Sequence, residues 1–173
     1  MGKLPARKNI RLRGYDYSQN GAYYVTICVK DGHEILWEQK HVGAATCRPS
    51  LSHIGKIVDV AIQNIHQIYT CVIVDKYVIM PNHIHMILLM QNDNLESCVE
   101  ECGRQIAAPT TISMIVRNMK RFASMQIGYS IWQRSYHDRI IRNEEEYQRI
   151  WKYIDENPLK REDDEYFVKE PTL

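Results

Sequence analysis

His83 and His85 stand two residues apart in the run Tyr77-Val-Ile-Met-Pro-Asn-His-Ile-His85, at the start of the most apolar stretch of the chain. On an extended strand that spacing sends both imidazoles out of one face. Two imidazoles on one face can hold a single divalent ion, each keeping its other ring nitrogen for a partner that orients it. A lone His-x-His is also a common accident, and the spacing alone does not choose between these readings. Tyr153 and Asn157 stand four apart, which on a helix is one turn and therefore one face. An amide oxygen from Asn157 could complete a metal shell and leave Tyr153 beside it. A phenol near a divalent cation ionises below its free pKa of about 10 and becomes a nucleophile toward phosphorus. The ion would also polarise the phosphate. Taken alone, Tyr153 is better read as an aromatic at the edge of a helical apolar stripe, about 60° from Ile150 at 100° per residue.

These residues need elements to carry them. Gly21 releases a β-branched and aromatic run, Ala22 to Lys30, which reads as a strand. Ser52 to Tyr69 carries Ile54, Val58, Ala61, Ile62, Ile65 and Ile68 at helical spacing. Cys71 to Met80 and His83 to Met90 read as two strands paired in a hairpin through Pro81-Asn82. Residues 91–109 are polar and acidic and read as a loop or short insertion. A second helix starts at Thr110 or Thr111 as N-cap, buries Ile112, Ile115, Val116, Met119 and Phe122, and ends at Gly128. Ile131 to Arg142 reads as a strand. A third helix opens at Asn143, with Glu146 placed for a capping box and an apolar stripe of Tyr147, Ile150, Trp151 and Ile154; Pro158 closes it. The first six elements follow the split βαβ, ferredoxin-like order: an α+β fold whose antiparallel sheet of four strands carries its helices on one face. The third helix is an addition, placed to reach the exposed face of the sheet.

The 173 residues suffice for one domain with a proper core. We divide the chain into a basic arm over 1–20, a catalytic domain over 21–160 and an acidic tail over 161–173. No stretch approaches the roughly 20 apolar residues of a membrane span, and no apolar signal core follows the basic start. The expectation is a cytoplasmic, nucleoid-associated prokaryotic protein. Five cysteines at irregular spacing argue against a disulfide framework, and Cys98 with Cys102 is a weak zinc signal. The net charge of +1 hides a separation of sign. The arm carries Lys3, Arg7, Lys8, Arg11 and Arg13 and no acid before Asp16, whereas 93–101 and Glu162 to Glu165 are acidic. A local basic patch suits nucleic acid better than overall charge does, although a scattered solvated surface explains the counts equally.

The run Tyr77 to His85 resembles the signature of the HUH single-tyrosine transposases, and specifically of the REP-associated tyrosine transposases. Three more segments agree in order: Gly21-Ala-Tyr-Tyr-Val-Thr-Ile27, Ile131-Trp-Gln-Arg-Ser-Tyr-His-Asp-Arg-Ile-Ile-Arg142 and Tyr153-Ile-Asp-Glu-Asn-Pro158. Together they cover roughly residues 10 to 160. The resemblance implies Mg2+ or Mn2+ on His83 and His85, Asn157 as a third ligand, and Tyr153 as the nucleophile. It implies a ferredoxin-like fold and cleavage of single-stranded DNA beside imperfect hairpins, like those of repetitive extragenic palindromes. The product would be a 5′-phosphotyrosine with a free 3′-hydroxyl, and rejoining would need no ATP because the phosphodiester energy is kept. The chain departs from the pattern at Tyr136-His137-Asp138-Arg139, where relatives often read Tyr-Tyr-Asp-His. It departs again at Arg161, where a tryptophan is common. Both departures bear on DNA preference and tail packing more than on the chemistry.

Arg117, Lys120 and Arg121 are candidate phosphate contacts on the second helix, as are Arg7, Lys8, Arg11 and Arg13 on the arm, where Tyr15 and Tyr17 could stack on bases. His137 and Asp138 are candidate partners of the ligands. Trp132 and Trp151 are expected in the core. Tyr136, Tyr147 and Tyr166 are the rival nucleophiles, and we expect Tyr153 because of its one-turn amide partner. Two other functions are open: a domesticated, non-catalytic hairpin binder, and a metal-dependent phosphoesterase that uses water. The short step from Arg142 to Asn143 leaves little room for helix exchange, which favours a monomer over a homodimer.

Overall fold

A computed structural model describes residues 15–38, 50–92, 110–159, 164 and 166. Four strands, β1 (Gly21–Cys28), β2 (Val72–Ile79), β3 (His83–Met90) and β4 (His137–Ile141), form one sheet in the order β2-β3-β1-β4. All neighbours run antiparallel. The helices are α1 (His53–Gln63), α2 (Ile65–Ile68), α3 (Ile112–Ile127) and α4 (Glu144–Glu156), with 3-10 turns at Lys30–Gly32 and Asn157–Leu159. This is the α+β, ferredoxin-like arrangement expected, with α4 as the addition.

Strand alternation divides the core in two. Tyr23, Val25 and Ile27 of β1, with Ile84, Met86, Leu88 and Met90 of β3, face α1 and α3. The alternate residues face the other way, where Ile87 and Ile141 pack against Ile150 and Ile154 of α4. β3 is therefore covered on both faces, which is why its sequence is apolar at nearly every position. Pro81-Asn82 makes the hairpin turn, closed by Met80 N–H on the His83 carbonyl at 2.8 Å. Among the described residues, no helix is long and apolar enough to cross a membrane.

Two elements and one side chain differ from expectation. The helix read from Ser52 to Tyr69 breaks at Asn64 into α1 and α2. The strand read from Ile131 shrinks to β4. Ahead of it, Trp132 makes one isolated bridge to Val29. Side chains fix the rest of that run: Trp132 Nε1 donates to the Lys120 carbonyl at 3.1 Å, and Tyr136 meets Ser113 Oγ at 3.1 Å. Trp132 is buried as expected, but Trp151 is 36% exposed at the flank of α4. Its ring lies 3.8 Å from the Lys76 ammonium, so it works as a cation-π platform and not as a core residue.

Candidate active site

The His83 and His85 side chains leave β3 on the face that α4 covers, and both are 1% exposed. Their Nε2 atoms lie 2.9 Å apart. Each outer nitrogen has a partner. His83 Nδ1 is 2.7 Å from Asn82 Oδ1, and Asn82 Nδ2 donates to the Tyr166 carbonyl at 2.9 Å. With the amide nitrogen donating, Oδ1 accepts, so His83 carries its proton on Nδ1 and turns the Nε2 lone pair inward. His85 Nδ1 meets Tyr24 Oη at 2.7 Å and Thr26 Oγ1 at 2.9 Å, from the adjacent strand.

Asp164 completes the group. Its Oδ1 is 3.5 Å from His83 Nε2 and its Oδ2 is 3.4 Å from His85 Nε2. The candidate ligand atoms of the three residues all lie within 4.8 Å of one another. Burial pushes the Asp164 carboxyl up, but the two histidines and the Tyr166 N–H, donating at 2.8 Å, outweigh it and hold the group below the usual range. Burial pushes His85 down to about 4, so its imidazole is neutral near pH 7, the form that ligates a metal. Burial also raises Tyr24, keeping that phenol protonated. Two ring nitrogens and a carboxylate thus converge on one point. Imidazole with carboxylate is a donor set that a divalent ion fits.

α4 brings the tyrosine. Asn143 caps it, accepting from Glu146 N–H at 2.8 Å, and Glu146 Oε2 reaches back to Arg142 N–H at 3.0 Å, one residue before the N-cap. Three glutamates in the first turn suit the positive helix end. Ile150 and Ile154 seat the helix on the sheet, while Tyr147 Oη donates to Asp75 at 2.6 Å and Lys76 pairs with Asp155 at 2.6 Å. Tyr153, 38% exposed, then stands with its hydroxyl 3.5 Å from His85 Nε2 and donating to Asp164 Oδ2 at 2.9 Å. Asn157, buried one turn on, donates from Nδ2 to the same oxygen at 2.6 Å. It therefore meets the group through Asp164 and with its nitrogen, where an amide oxygen on the ion was expected.

Other expected residues fall elsewhere. Arg7, Lys8, Arg11 and Arg13 lie outside the described residues, as do Cys98 and Cys102. α3 packs on the sheet face opposite the histidines, so Arg117, Lys120 and Arg121 are behind the site. Lys120 donates to the carbonyls of Gln133 at 2.9 Å and Ser135 at 2.7 Å, and burial lowers its pKa to about 8. It ties down a loop, a different task from a phosphate contact. His137 lines a cavity beside His85. Asp138 pairs with Val25, and alternation turns its side chain toward the α1 and α3 face, away from the ligands. Among rival tyrosines, Tyr136 is buried in the far core, and the hydrogen bond to Asp75 raises Tyr147 to about 12. Tyr166 is closer than its place in an acidic tail suggested, its ring 4.9 Å from that of His83.

The sequence reading missed Asp164, Tyr24, Thr26 and Asn82 as site residues. Period-two alternation could have put Tyr24 and Thr26 on one face. Nothing in the tail marks Asp164 among its neighbouring acids.

No protein-family model matches the chain. It is 31% identical over 182 aligned positions to an uncharacterised protein of Haemophilus influenzae, covering 94% of this chain and 93% of the other. The two belong to one family. Among solved structures, that of a REP-associated tyrosine transposase bound to a REP hairpin superposes with a TM-score of 0.60, over 87% of this chain and 73% of its own, at 19% identity. At that identity the likeness is one of fold: this chain has the fold of the REP-associated tyrosine transposases, as the motifs led us to expect.

Proposed function

We propose that the protein is a metal-dependent tyrosine transposase that cleaves and rejoins single-stranded DNA at hairpin-flanked sites. The observation that carries the reading is the Tyr153 hydroxyl beside two converging imidazoles and a carboxylate, on a helix capped and clamped to hold it there. His83, His85 and Asp164 would hold Mg2+ or Mn2+, with Asn157 at the end of α4 as a further candidate donor. Bound there, the ion would supply positive charge that polarises the scissile phosphate and favours the ionised phenol.

The residues do the rest. Asn82 orients the His83 ring, and Tyr24 and Thr26 orient that of His85. Ile150 and Ile154 fix the helix, and with it the phenol. Tyr153 Oη attacks phosphorus, forming a new P–O bond while the bond to the 3′ oxygen breaks; the phenolic proton ends on the released 3′-hydroxyl. One ester replaces another, so a 3′-hydroxyl can reverse the step without ATP. The neighbour seen with a REP hairpin supports a hairpin-bearing strand as substrate. Tyr153 stands by its own chain's His85, which supports a monomer acting in cis.

The test uses single-stranded oligonucleotides carrying hairpins from the DNA flanking the gene, incubated with Mn2+ and run on a denaturing protein gel. Wild type is expected to show a DNA-shifted band that Tyr153→Phe and EDTA both abolish. Cleavage that survives in Tyr153→Phe would move the nucleophile to another tyrosine, if an adduct persists, or to water, if none does, and tight binding without cleavage would favour a domesticated hairpin binder.

A further inference from the structure

The strand on which Tyr153 acts needs a berth, and the sheet carries one next to it. A cavity of about 470 Å3 opens between β4 and α4, bordered by His85 and Tyr153 at one side and by His137 and Arg139 at the other. His137 and Arg139 alternate with Asp138, so both side chains leave the face of the sheet that bears the histidine pair. Thr26 pairs with His85 on one neighbouring strand and with His137 on the other. The two histidines therefore stand in a single cross-strand row, two strand spacings or about 10 Å apart. Arg139 stands one row along, opposite Tyr24.

The guanidinium is held in place. Glu146 Oε1 meets Arg139 Nη2 at 2.6 Å, and the other oxygen of Glu146 is occupied by the Arg142 N–H. Arg149 approaches the same Glu146 oxygen at 3.9 Å, so one carboxylate serves two arginines. A guanidinium has five N–H donors in a planar fork, more than one carboxylate oxygen can take. Facing it, the Tyr24 and Tyr153 rings meet edge to face at 6.5 Å and form an aromatic wall. Cation at one side and aromatic faces at the other suit a nucleotide: phosphate against the base-rich side, nucleobase against the rings.

We propose that this cavity holds one nucleotide of the single strand beside the bond that Tyr153 attacks, its phosphate taken by Arg139 with His137 and its base lying against Tyr24 and Tyr153. The inference rests on the reading of Tyr153 as nucleophile, and Glu146 becomes the positioning residue of the clamp.

Binding in EDTA separates the two claims, because no cleavage is needed. Fluorescence anisotropy would compare labelled oligothymidylate with a blunt duplex of the same charge. Arg139→Gln is expected to weaken oligothymidylate binding roughly tenfold and to lower the salt slope of log K by about 1, with duplex binding unchanged. Arg139→Lys should keep the slope and recover part of the affinity. Equal weakening of both ligands, no weakening of either, or no binding of oligothymidylate by wild type overturns the inference. If the covalent reading fails instead, the adduct is missing while the discrimination by Arg139 survives. The Arg139 side chain is 61% exposed and Glu146 keeps its bond to the Arg142 N–H, so thermal melting of Arg139→Gln should stay near wild type. If it does not, the Arg139→Lys comparison decides.

Discussion

At the scale of single residues, the hydroxyls behind His85 are as consequential as the histidines. Tyr24 and Thr26 both meet Nδ1, so the ring is held in the orientation that points Nε2 at Asp164 and His83. Removing such partners typically costs about 10- to 100-fold in metal affinity. We expect Tyr24→Phe to weaken Mn2+ binding measurably by calorimetry and the double change with Thr26→Val to weaken it by at least about tenfold, because either hydroxyl can substitute for the other. An unchanged dissociation constant in the double variant would mean the hydroxyls only pack. Strand and helix periods put His83 with His85 and Tyr153 with Asn157 on shared faces, and the family resemblance singled them out. Asp164 was not legible: it sits in a bend beyond α4, where no strand or helix period links a side chain to a place.

At the scale of elements, position is set by caps, close approaches and side-chain ties more than by hydrophobic pattern. Asn143, Gly128 and Thr111 mark helix ends in the sequence and do so in the structure. The shortened β4 was illegible, since it depends on partners distant in sequence, above all Lys120 beneath the loop ahead of it. Gly55 shows how such partners overrule local preference. Glycine to alanine inside a helix ordinarily stabilises by about 0.5–1 kcal/mol. Here a Cβ would lie 2.1 Å from the Leu36 carbonyl oxygen, which is backbone and cannot rotate away. Gly55→Ala is therefore expected to lower the melting temperature, read by circular dichroism; a rise would show that α1 is free to shift away from that carbonyl.

At the scale of the whole molecule, the sheet is buried on both faces, and the site lies where α4 stops short of covering it. The doubly apolar β3 already hinted at that in the sequence, but which helix covered which face followed only from the strand order. Burial has a pH signature. The His85 pKa falls from 6.5 to about 4 on folding. Between those values the unfolded chain binds a proton that the folded one refuses, so metal-free protein is most stable above this window and loses stability as pH falls through it. Urea unfolding in EDTA should give a lower midpoint at about pH 5 than at about pH 7, with the gap reduced in His85→Gln. Equal midpoints would contradict a buried neutral imidazole.

The proposed chemistry turns on which oxygen becomes bonded to DNA. Tyr166 lies near enough to His83 to be the competitor, and a gel shift alone cannot tell the two apart. The covalent complex formed in Mn2+ would be trimmed with nuclease, digested with protease and mapped by mass spectrometry. The nucleotide mass is predicted on the peptide carrying Tyr153 and on no other. Its appearance on the Tyr166 peptide would contradict the assignment of the nucleophile and transfer the catalytic role from α4 to the tail.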